Sequence, residues 1–118
     1  MARLKLSVVL DSGARIGPGK ARLLESVRDT GSISAAARDM GMSYKRAWLL
    51  LDSVNQAFET PAVTAATGGR RGGGARLTAF AQELLDRYRS MEAKAGADSA
   101  AELDALEGAA RTSVGPKV

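Results

Sequence analysis

The sequence predicts a mainly α-helical domain with a small β-hairpin, on three observations. Apolar residues recur at helical spacing in several separate stretches. A glycine-rich run with short β-like flanks interrupts them once, and Gly or Pro closes most of the stretches. At 118 residues the chain is sized for one domain, and 45% apolar residues suffice for a core. Aromatics are only 4%, so aliphatic side chains and Ala must fill that core.

Each element follows in order. Leu4, Leu6, Val8 and Leu10 alternate with Lys5, Ser7 and Val9, the period of a half-buried strand. Asp11-Ser12-Gly13 is turn chemistry, and Ala14-Arg15-Ile16 is expected to return as a short second strand. From Lys20 to Thr30, Ala21, Leu24 and Val27 recur at helical spacing, with Gly31 placed to close the helix. Ser34 is the expected N-cap of a short helix over Ala35–Met40, ended by Gly41. Ser43 is placed to cap a longer one from Tyr44 to about Phe58, with Ala47, Leu50, Leu51, Val54 and Phe58 on its apolar face; Pro61 prevents continuation.

Ala62–Ala66 and Ala75–Leu77 read as two strands around the loop Thr67–Gly74. Thr78 is placed to cap a final long helix to about Ala95, broken by Gly96, with the stripe Phe80, Leu84, Tyr88 and Met91, widened by Leu85. That stripe is too apolar for the surface of a small domain, so it is expected to form a two-fold dimer interface. The chain divides into a domain over residues 1–95 and a tail over 96–118 that is flexible or weakly helical; Ser99 and Glu102 have capping-box spacing, but Gly108 and Gly115-Pro116 follow, so disorder is the expectation.

Charge narrows the function. Lys and Arg number 17 against 13 acids, and residues 1–95 hold 15 of the cations but only 9 of the acids. A basic body with an acidic tail points to a polyanionic partner. With no Cys and no His, the chain has no thiol or imidazole chemistry and no Cys/His zinc site, and no carboxylate pair or activated Lys stands in for them; an enzyme is not expected, nor a metal or cofactor. No G-x-G-x-x-G occurs, and the one Gly-Lys pair, Gly19-Lys20, lacks the rest of a phosphate-binding loop. Without a run of 18 apolar residues or a signal-peptide pattern, the expected location is the cytoplasm, away from membranes.

The segment from Ser34 to Leu50 carries the sharper signal. Ala36 and Ala37 are small where a second helix must cross, Gly41 tolerates the positive φ of a sharp turn, and Met40, Met42, Ala47 and Leu50 can pin both helices to the body. Ser43, Tyr44, Lys45 and Arg46 then fall on the first turn of the second helix, the part of a helix-turn-helix that reaches base edges in the major groove. The alternative for these residues is a solvated helix start, and the Tyr44 hydroxyl can equally meet a phosphate or water. Trp48 is expected to pack in a core or interface rather than to read a base, and Lys20 suits solvent or a phosphate equally well. Five of the eight loop residues are Gly, with Arg70 and Arg71 at the centre and Arg76 just beyond, which suits a wing that meets phosphates or a narrow minor groove.

Together these make a winged helix-turn-helix with a long C-terminal dimerisation helix. The segment GSISAAARDMGMSYKRAW at 31–48 resembles the recognition segment of ModE-type molybdate-responsive transcription regulators, and ATGGRRGGGARLT at 66–78 resembles the wing of the same family. The likeness covers roughly residues 4–95; a more distant similarity to LysR-type regulators covers the helix-turn-helix alone. The resemblance implies a homodimeric regulator that binds double-stranded DNA near molybdenum transport and cofactor genes. It implies DNA contacts from Ser43, Tyr44, Lys45 and Arg46 and from the wing arginines Arg70 and Arg71. Full-length regulators carry a pair of oxyanion-binding domains after the long helix, whereas about 23 residues follow position 95 here. This chain alone is therefore expected not to bind molybdate. The competing reading is a protein-interaction or dimerisation module whose basic surface is incidental.

Overall fold

A computed structural model describes residues 1–66 and 74–111. From Met1 to Leu10 the odd positions are exposed and the even ones partly buried, the expected alternation. Only Val8–Val9 (β1) pairs with a second strand, Arg15–Ile16 (β2), with Val8 opposite Ile16 and Val9 opposite Arg15. The strand expected over Leu4–Leu10 is thus shortened. Its partner has two residues before Gly17 and Pro18 turn the chain into a helix, so no ladder remains for Leu4 to Ser7. A side chain holds that segment instead, because the Tyr88 hydroxyl donates to the Leu6 carbonyl at 2.6 Å.

Helix α1 spans Pro18–Thr30 and opens on Pro18, whose missing N–H would have had no helical partner in any case. It buries Ala21, Leu23, Leu24 and Val27 and ends at Gly31, where φ is +72° and the N–H bonds to the Val27 carbonyl. Helix α2 spans Ile33–Asp39, and its cap is Ser32, not Ser34: the Ser32 hydroxyl accepts from the Ala35 N–H at 3.1 Å. Gly31 has already turned the chain, so Ile33 takes the first helical position and rests against the core. The Ser26 hydroxyl, on α1, donates to the Asp39 carboxylate at 3.1 Å and ties the end of α2 to α1.

Gly41, at φ +67°, makes the turn into α3, Tyr44–Ala57. Ala36 and Ala37 are buried beneath it, as the close crossing requires. Strand β3, Val63–Ala66, pairs antiparallel with β4, Gly74–Leu77, in the register Val63 to Leu77 and Ala66 to Gly74. The Ala75 N–H reaches the Gly31 carbonyl at 3.0 Å, fixing this sheet to the α1–α2 corner. Helix α4 follows, Ala79–Asp98, with the Thr78 hydroxyl accepting from the Ala81 N–H.

One expectation about the C-terminal part is corrected: helix α4 runs through Gly96 instead of breaking there. Of the two forms expected for the tail, flexible or weakly helical, residues Ala100–Ala109 take the helical one as a further helix, α5, and not the disorder that the later glycines favoured. The Ser99 side chain makes no cap bond, so the capping box is not what forms α5. Gly96 lies in a run rich in Ala, and α5 is dominated by Ala, Leu and Glu; these residues lose little on becoming helical, which outweighs about 1 kcal/mol for an internal Gly. Residues 112–118 lie outside the described part. Among the described residues there are five helices and two small antiparallel strand pairs, an order compatible with a winged helix. The core gathers Ile16, Leu23, Leu24, Val27, Val54, Leu85 and Tyr88 from α1, α3, α4 and the first hairpin.

Candidate nucleic-acid interface

Helix α3 is anchored on one side and bare on the other. Ala47, Leu51 and Val54 are buried against the body. Asn55 locks the helix to the second hairpin: its side-chain carbonyl accepts from the Ala62 and Val63 N–H groups at 2.8 and 3.0 Å, and its amide donates to the Val63 carbonyl at 3.2 Å. A helix held at both its apolar face and its polar edge presents its outer face in a fixed orientation.

That outer face carries the expected residues. The Ser43 hydroxyl accepts from the Arg46 N–H at 3.1 Å, so its acceptor is committed to the helix start. Tyr44 is 53% exposed, and Lys45 and Arg46 are exposed beside it. Among the described residues, neither Lys45 nor Arg46 forms an ion pair. Arg76 is exposed on β4 opposite Thr64. Arg70 and Arg71 lie outside the described residues, as does the tip of the expected wing. An open cleft of about 300 Å³ separates α3 from the hairpin, walled by Tyr44 and Trp48 on one side and Thr64 and Ala65 on the other, with Asp52 lining it. No group of His, Cys, Asp or Glu among the described residues could hold a metal ion, and no helix there is long and apolar enough to cross a membrane.

Comparison with known proteins gives the same direction. No family model matches the chain. The molybdenum-pterin-binding protein MopB of Rhodobacter capsulatus is 47% identical over 92 residues, 77% of this chain and 34% of that protein. The DNA-binding transcriptional dual regulator ModE of Escherichia coli K12 is 40% identical over 87 residues, 74% of this chain and 33% of its own length. The molybdenum transport protein ModE of Azotobacter vinelandii is 36% identical over 88 residues, again a third of its length. The chain is a relative of the ModE-type regulators. It spans about a third of the length of these curated relatives, and none of the three is named as an enzyme.

In this ModE relative the stripe expected to form a dimer interface is largely spent inside the subunit. Tyr88 is 1% exposed, and its hydroxyl bond to Leu6 makes it part of the fold. Phe80 stacks obliquely on Phe58, ring centres 5.0 Å apart, and Leu84 packs on the core. Of the four, only Met91 is left exposed, at 43%. The helical spacing correctly found an apolar face but could not say which body it meets. Of the two places expected for Trp48, the core is not the one it takes: it is 46% exposed in the subunit and lines the cleft side of α3. Leu49, 51% exposed, was not singled out. Its place four residues after Lys45, on the same outward line, was the available signal.

Proposed function

We propose that the chain is a sequence-specific DNA-binding module of a ModE-type transcription regulator, folded as a winged helix-turn-helix and acting as a homodimer. The observation that carries this is the first turn of α3, where Tyr44, Lys45 and Arg46 project from a helix clamped by its core face and by Asn55. In this reading α3 enters the major groove, Lys45 and Arg46 reach base edges, and Leu49 meets thymine methyl groups. Ser43 and Tyr44 sit at the groove's rim. Arg76, with Arg70 and Arg71, holds phosphates from the wing side.

The relatives named for DNA binding and transcription support this reading over a protein-interaction module. The test is selection of bound fragments from genomic DNA, followed by salt titration on the selected duplex. Affinity should fall log-linearly with salt, by a slope of about 0.9 per phosphate contacted. Binding that neither selects a sequence nor responds to salt would instead indicate the protein-interaction module.

Sensing of molybdate belongs, in this reading, outside these residues. A tight oxyanion site needs converging donors in a closed pocket. The acidic groups Asp98, Glu102, Asp104 and Glu107 of α4 and α5 oppose an anion there. Calorimetric titration of this chain with molybdate should show no saturable heat at micromolar ligand in physiological salt.

A further inference from the structure

We propose that the DNA-contacting surface continues past α3 onto the corner between β2 and α1, where Arg15 and Lys20, beside the base-reading Arg46, grip the sugar–phosphate backbone of duplex DNA. This rests on the DNA-binding reading of α3 and enlarges its footprint to a part of the fold that lies outside the helix-turn-helix and the wing.

Two adjoining shallow depressions make the surface continuous. Arg15, Lys20 and Arg46 line one; Lys20, Ser43, Lys45 and Arg46 line the other. Neither lining contains a carboxylate. The single acid of α3, Asp52, lies on the far side in the cleft with Trp48. Four cations thus converge from β2, α1 and α3, elements separated in sequence, on a patch with no counter-charge of its own.

Being unpaired is not what sets these four apart, since Arg3, Lys5, Arg22, Arg38 and Lys94 form no ion pair among the described residues either. What sets them apart is convergence on linings without a carboxylate, away from the three arginines that are paired. Arg28 pairs with Asp29, Arg87 with Glu83, and Arg89 with both Glu25 and Glu92. Among the described residues no such pair reaches Arg15, Lys20, Lys45 or Arg46. Like charges gathered on one patch repel, and an external anion that neutralises several at once relieves that repulsion. A phosphate backbone does that along its length, and a groove-bound helix is flanked by backbone on both sides.

Lys20 is also positioned in advance. Its ammonium donates to the Arg15 carbonyl at 2.9 Å, which steers its stem across the corner and leaves its other two N–H groups for a ligand. Met42 and Leu50 line the Arg15–Lys20–Arg46 depression as an apolar floor, which limits competing hydration. Gly19 keeps the approach open: a Cβ built there meets nothing within 4 Å, and its φ is not in the left-handed region.

The experiment measures duplex affinity against salt for the full chain, on its selected site and on a random duplex. Arg15→Ala and Lys20→Ala should each weaken both duplexes alike, roughly fivefold at physiological salt, and reduce the log–log slope by about 0.9. Arg87→Ala, whose cation is paired on α4, serves as the reference and should change neither. Gly19→Glu places an acid in the first turn of α1, where it suits the helix. It should weaken binding to both duplexes while leaving the thermal midpoint unlowered, which separates the effect from misfolding. Wild-type binding with a normal slope that Arg15→Ala and Lys20→Ala leave unchanged would overturn the proposal alone. Absence of any salt-dependent binding by the wild type would overturn the reading of α3 and this surface with it.

Discussion

Tyr88 joins the first residues of the chain to the last long helix through one bond. Its hydroxyl reaches Leu6 across 82 positions of sequence. Burial, and then the charge of Glu92, pushes its phenol above the ordinary value of 10.0. A phenol raised in the folded state contributes stability that is whole below pH 10 and is lost as pH rises through the folded value. Tyr88→Phe should therefore cost about 1 kcal/mol in urea unfolding at neutral pH. The gap between wild type and variant should stay level to about pH 10 and narrow above it. A gap that widened there would show that the hydroxyl is not the group being held neutral. On α3 the residue-scale expectation concerns reading rather than folding. Lys45→Ala or Arg46→Ala should cost roughly 1–3 kcal/mol of operator binding and relax preference at one base position, measured by repeating the fragment selection. The types and spacing of Lys45 and Arg46 were legible because exposed cations behind a capping Ser form a local pattern. The partner of Tyr88 was not legible, since nothing local in FAQELLDRYRSM announces a bond to residue 6.

The turn between α2 and α3 was legible for a similar local reason. Gly41 adopts the positive φ that its position demanded, and Ser43 caps α3 as expected. At the start of α2, two residues of the same type compete for one role. Ser32 and Ser34 both stand within three residues of Ala35, and only the turn at Gly31 decides between them by placing Ile33 on the core. Ser32→Ala should accordingly cost about 1 kcal/mol of stability in urea or thermal unfolding, and Ser34→Ala a few tenths at most. Equal losses would mean that neither hydroxyl is the cap. At the C-terminal end the error had the opposite character. Gly96 reads as a breaker when taken alone, yet Ala95 and Ala97 flank it and the hydrogen bonds run on, with the Ser99 N–H reaching the Ala95 carbonyl at 3.0 Å. A single glycine penalty is smaller than the summed propensity of its neighbours.

At the scale of the whole molecule the long helices draw the shape out. The radius of gyration is 17.4 Å, against about 13.5 Å for a compact chain of this length. The body is held to the long helix by a fork: Arg89 on α4 binds both carboxylate oxygens of Glu25 on α1, at 2.6 and 3.1 Å, and also Glu92. Beyond that fork α5 has no buried residue, and its Leu106 is 69% exposed. A helix of ten residues is marginal in water without a covering surface. The homodimer proposed for this chain supplies one, and its contacts shift accordingly from Tyr88 and Phe80, which serve the subunit core, to Met91 and the α5 leucines. A two-fold pair also sets two α3 helices about 34–36 Å apart, one turn of the duplex, so the selected DNA should contain inverted half-sites at that spacing. Sedimentation equilibrium at tens of micromolar should give the mass of a dimer. Leu106→Glu should shift that mass toward the monomer and lower helical content, because α5 then loses its cover. Tyr88→Phe should leave the mass at dimer, because its side chain lies within one subunit. A wild type that sediments as a stable monomer, with α5 still helical, would remove the dimer and show that α5 holds its helix without a covering partner.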